Sequence, residues 1–192
     1  MSDKNNKKII KRKSFKPLNW ICNSIFLNFK IYNDFTVVES KLHFNKSNIY
    51  ERGDLLLDGF KLNTLNFKIV YIFKNKKNLI KLLNPISDYL IIKVPYNCNK
   101  VIIKSSIKLN PKFNSSLEGF YESNSMYCTQ CEPEGFRKIT WFPDRPDNLS
   151  SFKVRIEAKS SYNNLLSNGN LVRVGKIKNH KRKYVIWNDP FP

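Results

Sequence analysis

Residues 151–158 read SFKVRIEA, and within that stretch Phe152, Val154, Ile156 and Ala158 alternate with Lys153, Arg155 and Glu157. A period of two puts the apolar side chains on one face of an extended chain and the charged ones on the other. The same alternation recurs earlier, where Leu27, Phe29 and Ile31 interleave with Asn28, Lys30 and Tyr32. Between residues 165 and 172 the sequence LLSNGNLV sets Asn168-Gly169 between two apolar pairs. Both residues tolerate positive φ, which predicts a tight hairpin there. A second hairpin is predicted near Asn179, ahead of a Tyr184–Trp187 strand. Pro85, Pro95 and Pro111 punctuate the middle of the chain. No stretch has helical periodicity of useful length. One short turn is expected over Asp144-Arg145-Pro146-Asp147, capped by Asp144. The expected fold is all-β, with two packed antiparallel sheets.

Composition agrees. The 192 residues are 41% hydrophobic and 14% aromatic, enough for one sizeable core, and Ala158 is the only alanine. Few alanines with many β-branched and aromatic residues favour sheet over helical bundle. Lys and Arg number 34 against 15 Asp and Glu, a formal charge of +19. Such an excess raises the question of a nucleic-acid or anionic-membrane partner. The cations are dispersed rather than striped, and only seven are Arg, the better reader of bases and phosphates. Dispersion of this kind fits a solvated lysine- and asparagine-rich surface, so neither a nucleic-acid nor a membrane partner is expected. The longest mid-chain apolar run, Ile69–Phe73, is far short of the ~20 residues that span a bilayer. No secretory signal precedes it, so cytoplasmic localisation with reduced thiols is expected. Residues 1–16 read as a basic, low-complexity, disordered tail, and residues 17–192 as a single domain.

The usual catalytic constellations are missing. His43 and His180 cannot form a His-Glu-x-x-His pair, which needs histidines four apart. Cys128-Thr129-Gln130-Cys131 has C-x-x-C spacing, but no second pair completes a zinc ribbon, and Cys22 and Cys98 are far apart. Two half-buried thiols around a turn are the expected outcome. No Walker-type loop, G-x-G-x-x-G or Gly-x-Ser-x-Gly elbow is present. One segment differs in texture. Residues 117–149, LEGFYESNSMYCTQCEPEGFRKITWFPDRPDNL, hold few lysines and keep six acids: Glu118, Glu122, Glu132, Glu134, Asp144 and Asp147. A carboxylate in a partly dry pocket binds an ammonium through a charge-assisted hydrogen bond, so this segment is the candidate cation site.

That segment, with Leu165–Asn170 and Trp187–Pro192, resembles the amino-terminal domain of bacterial aminopeptidase N, of the gluzincin family of zinc aminopeptidases. The likeness is dense from Leu117 onward and thinner before it. It implies a saddle-like β-sandwich over residues 17–192, which would pack against a thermolysin-like catalytic domain. It implies that Glu132 pairs with the α-ammonium of a peptide N-terminus and that the Gln130 oxygen accepts a hydrogen bond from it. Glu134, Arg137 and Asp144 would hold this loop in place. The family's His-Glu-x-x-His helix, distal Glu ligand, Gly-Ala-Met-Glu-Asn loop and transition-state tyrosine have no counterpart among these 192 residues. The expectation is therefore a fragment or split-gene product, short of the saddle's last strand and leaving a sheet edge unpaired. It would bind no metal and no cofactor itself, be inactive alone, and depend on a separate catalytic-domain polypeptide for zinc. The alternatives are a stand-alone module that binds peptide ends without hydrolysis, and a basic nucleic-acid-binding protein.

Overall fold

The computed structural model describes residues 11–47, 53–74, 78–178 and 181–192. Twelve strands form among them, in chain order: β1 (Trp20–Ile31), β2 (Thr36–Lys46), β3 (Leu55–Asp58), β4 (Asn63–Phe73), β5 (Asn78–Leu82), β6 (Tyr89–Ile92), β7 (Cys98–Leu109), β8 (Gly119–Ser123), β9 (Met126–Gln130), β10 (Ser151–Lys159), β11 (Asn170–Ile177) and β12 (Arg182–Asp189). Helix among the described residues is limited to three single 3₁₀ turns, at Arg12–Ser14, Pro111–Phe113 and Phe136–Lys138. Eight strands make one sheet in the order β11-β12-β10-β1-β2-β7-β4-β5, and β3-β6 and β8-β9 make two small ones.

Alternating residues of the large sheet's central strands build the core. Leu27, Phe29 and Ile31 of β1, Val38, Leu42 and Phe44 of β2, Phe67 and Ile69 of β4, and Val101, Ile103 and Ile107 of β7 all face inward. Leu55, Leu57 and Ile92 of the small β3-β6 sheet cover them, with Ile139, Trp141 and Phe142. This is the expected all-β arrangement of packed sheets. Trp141 is 2% exposed and meets the Phe67 ring edge-on at 6.0 Å. Its indole N–H donates to Thr64 Oγ1 at 3.0 Å, as a buried indole requires. Three buried hydroxyls satisfy one another: Ser40 Oγ lies 2.7 Å from Ser105 Oγ and accepts from Thr140 Oγ1 at 2.9 Å, whereas the buried Thr36 Oγ1 has no hydrogen-bond partner among the described residues.

The large sheet is not wholly antiparallel: β10 runs parallel to β1, with Ser24 opposite Ser151 and Lys30 opposite Glu157. A bulge between Cys22 and Ser24 provides the anchor. Asn148 Oδ1 accepts from the Cys22 N–H at 2.8 Å, and Ser150 Oγ donates to the Cys22 carbonyl. The chain is thereby fixed beside β1 just before β10 begins, and it leaves in the same direction. Glu157 ties the strands beyond. It accepts from Arg155 Nη1 at 2.7 Å and Arg182 Nε at 3.1 Å, while Arg155 reaches Asn28 Oδ1 and Arg182 the Ile31 carbonyl.

Two sequence expectations need correction. Asn168-Gly169 does not join two strands: Leu165 and Leu166 are in coil, and the turn leads into β11. Gly169, at φ +82°, is needed because a Cβ there would collide with the Asn188 carbonyl. The second turn does connect an antiparallel pair, β11 and β12, although Asn179 lies outside the described residues. The short turn near Pro146 does form, closed by the Asn148 N–H donating to the Arg145 carbonyl at 3.1 Å, but Asp144 does not cap it, because its carboxylate accepts from Arg137 of the Phe136–Lys138 turn. Among the described residues β11 pairs on one side only. No helix among them is long and apolar enough to cross a membrane. Residues 1–10 of the basic tail lie outside the described residues.

Candidate functional site

The acid-rich segment forms a hairpin followed by a turn. Asn124 and Ser125 link β8 to β9 with φ of 49° and 64°, the left-handed pair of a tight hairpin. Phe120 fastens the hairpin to the sheet, 5.4 Å from the Phe29 ring and stacked on Tyr127 at 5.6 Å. β9 ends at Gln130. After Cys131 the chain turns sharply through residues 132–135, where Gly135 N–H donates to the Cys131 carbonyl at 3.2 Å. Glu134 adopts φ +68° to make that turn, a strained conformation for a residue with a Cβ.

Arg137 holds the turn down. Its Nε donates to Asp144 Oδ2 at 3.0 Å and its Nη2 to the Asp144 carbonyl at 3.0 Å. Nη1 lies 3.5 Å from Glu134 Oε2 and Nη2 4.0 Å from Asp58 Oδ2. Asp58 in turn accepts from the Asp144 N–H at 3.0 Å. Burial pushes the Asp58 carboxyl above its ordinary range, with Arg137 and the Asp144 N–H pulling against that shift. Asp58 was not among the residues singled out from sequence. Its signal there is a lone acid closing the apolar run Leu55–Leu57, one residue before Gly59.

An open cleft of about 590 Å³ lies beside this clamp, lined among others by Asp58, Tyr89, Glu132, Glu134, Arg137 and Asp144. Glu132, Glu134, Arg137 and Asp144 thus line one cleft. Gln130 is exposed at the end of β9, two residues before Glu132, and does not line this cleft. Glu132 is exposed and has no hydrogen bond or ion pair among the described residues. The other acids of the segment are mostly committed: Glu118 to Lys138, Glu134 and Asp144 to Arg137, and Asp147 to Arg145. A second cleft of about 500 Å³ lies against β9, lined by Phe29, Phe120, Tyr127, Val154 and Ile156 among others.

No group of three or more His, Cys, Asp or Glu among the described residues could hold a metal. His43 sits on the large sheet's outer face, its imidazole held below its usual range by burial and then by Lys41, Lys100 and Lys104. His180 lies outside the described residues. All four cysteines are free thiols, with Cys128 and Cys131 half-buried.

The sequence model of the peptidase M1 N-terminal domain matches residues 25–192. Aminopeptidase N of Haemophilus influenzae is 35% identical over 192 residues, covering 94% of this chain and 20% of the relative. Aminopeptidase N of Escherichia coli is 51% identical over 86 residues, 44% of this chain and 10% of the relative. The chain thus spans a fifth or less of the length of these curated relatives. Among solved structures, Legionella pneumophila aminopeptidase A in complex with aspartic acid aligns with a TM-score of 0.77 at 26% identity, over 92% of this chain and 20% of that one. An M1 zinc metallopeptidase variant of Deinococcus radiodurans, bound to a Tyr-Ser-Ala substrate, aligns with a TM-score of 0.63 over 88% of this chain and 39% of that one. Its 12% identity speaks for the fold alone. Matched over nearly its whole length in both sequence and strand arrangement, this chain belongs to the M1 family of zinc aminopeptidases, as their N-terminal domain.

Proposed function

We propose that this domain holds the free amino terminus of a peptide, with Glu132 pairing the α-ammonium and Gln130 accepting a hydrogen bond from it. Hydrolysis itself falls to a zinc-bearing catalytic polypeptide, and the chain alone is inactive. One observation carries the reading: in a chain of charge +19, the cleft under the 132–135 turn gathers four carboxylates (Asp58, Glu132, Glu134, Asp144) against two guanidiniums (Arg137, Arg145). Arg137 engages three of those carboxylates, and Glu132 is left free. An unpaired carboxylate on a clamped turn suits a cation supplied from outside. The two structural relatives were solved with an amino acid and with a peptide, both of which carry an α-ammonium. A fixed carboxylate at this place explains exopeptidase action, because an internal peptide bond brings no ammonium to pair. Zinc, in the family, supplies Lewis-acid chemistry. The described residues of this chain do not gather a donor set for it, so their part is to bind and orient.

The test is an NMR titration of the 192-residue chain with a Tyr-Ser-Ala tripeptide and its N-acetyl form. Acetylation and Glu132→Gln should each weaken binding about tenfold, which is about 1.4 kcal/mol. Equal binding of the acetylated peptide, or indifference to Glu132→Gln, overturns the amine assignment. Hydrolysis of an alanyl test substrate by the purified chain without a partner overturns the division of labour.

A further inference from the structure

The outer face of the large sheet carries a feature that the peptide cleft does not use. Lys41 of β2 stands opposite Lys104 of β7, and Lys104 stands opposite Lys68 of β4. Their sequence neighbours Ser40, Leu42, Ile103, Ser105, Phe67 and Ile69 are buried on the core side, so all three ammoniums leave the other face. Adjacent strands lie about 4.8 Å apart, so three like charges are strung over about 10 Å. Like charges directly opposite each other destabilise a sheet, and an interleaved carboxylate is the ordinary remedy. The nearest candidate, Glu39, is engaged elsewhere: it accepts from Asn28 Nδ2 at 2.8 Å and Lys30 Nζ at 2.6 Å. None of the three lysines has an ion pair or hydrogen bond among the described residues.

The row continues across β1 and β10, where Phe26 stands opposite Lys41 and Lys153 opposite Phe26. Two residues along each strand, half-buried Val70, Ile102 and His43 form a parallel band, in register with one another. A shallow depression of about 320 Å³ follows the row, lined by Phe26, Lys41, Asn66, Lys68, Lys104 and Ser106 among others. We propose that this outer face, centred on Lys41, Lys104 and Lys68, docks an acidic polypeptide segment whose carboxylates bridge the lysine row and whose apolar side chains cover Val70 and Ile102. A nucleic acid is the poorer fit. The row offers compact ammoniums rather than guanidinium forks, and its one aromatic ring, Phe26, is half-buried and cannot serve as a stacking platform.

The experiment uses the 192-residue chain, a triple variant (Lys41→Gln, Lys68→Gln, Lys104→Gln) and a charge-matched control (Lys93→Gln, Lys112→Gln, Lys159→Gln). The probes are a short polyglutamate peptide and a single-stranded oligothymidylate of equal length. The row variant should bind polyglutamate about tenfold more weakly and with a shallower salt dependence, while the control stays within about threefold of the parent. It should also melt higher than the parent, because repulsion is relieved, so that lost binding is not lost folding. Equal losses in the two variants would reduce the face to general charge and overturn the proposal. So would row-dependent binding of oligothymidylate that is tighter than that of polyglutamate. A row variant that melts lower than the parent removes the like-charge premise.

Discussion

Replacing Arg137 by Met keeps an aliphatic stem of similar reach and removes the only cation among the described residues within 4.0 Å of Asp58 Oδ2. It also deletes two hydrogen bonds to Asp144, each 3.0 Å long. The side chains are mostly covered: 21% exposed for Arg137, 13% for Asp144 and 20% for Asp58. Breaking a fully buried pair costs about 3–5 kcal/mol, and partial exposure lowers that to about 2–4 kcal/mol here. Glu134, 70% exposed, adds nothing measurable. The deficit should also depend on pH. Burial already holds the Asp58 carboxyl above its ordinary value of 3.8, and Arg137 pulls it down, so losing Arg137 raises it further. A carboxyl raised on folding costs stability above its folded pKa, and that cost fades as pH falls through it. Urea midpoints of parent and variant should therefore differ most at about pH 7–8 and converge towards about pH 4. A deficit below about 1 kcal/mol, or one flat across that range, would refute the reasoning.

Two further outcomes follow from the same electrostatics. Burial opposes ionisation of Glu157, but hydrogen bonds from Arg155 and Arg182 outweigh it and hold the carboxyl below its usual range. Its contribution is present above the unfolded pKa and is lost as pH falls through the folded one. Glu157→Gln should thus cost about 2–3 kcal/mol at neutral pH and flatten the acid limb of the stability profile, both read from denaturation curves. Cys131 is pushed up to about 11, by burial first and then by nearby Asp144, so it is a protonated thiol at about pH 8. Mass spectrometry after iodoacetamide should find Cys128 modified well before Cys131, Cys22 or Cys98. Labelling of Cys131 as fast in the native chain as in urea would contradict its burial.

The strands were legible because each side chain answers to its nearest layer. The SFKVRIEA alternation became β10, and Leu27, Phe29 and Ile31 became the inward row of β1. Strand direction was not legible, since a period of two is the same for parallel and antiparallel neighbours; the direction of β10 is set by Asn148 and Ser150 on a distant bulge. Asn168-Gly169 misled because its glycine answers to the backbone of Asn188, a tertiary contact, rather than to a hairpin. At the site, the acid-rich texture was real but mostly structural, its acids pairing with Lys138, Arg137 and Arg145 of the same segment. Glu132 and Gln130 were reached through family resemblance. No spacing rule distinguishes the free acid from the committed ones until Arg137 is seen to choose among them.

The parallel join of β1 to β10 also has a temporal side. Arg155 and Asn28, which meet across it, are 127 residues apart in the chain. At typical rates of synthesis a growing polypeptide would wait on the order of 10 s between making one and the other. Through that interval β1 can zip to β2 on one flank while its opposite flank bares an unsatisfied ladder of amides and carbonyls beside Leu27 and Phe29. A ribosomal pause before Lys159 would lengthen the time for which that edge of β1 waits for its partner.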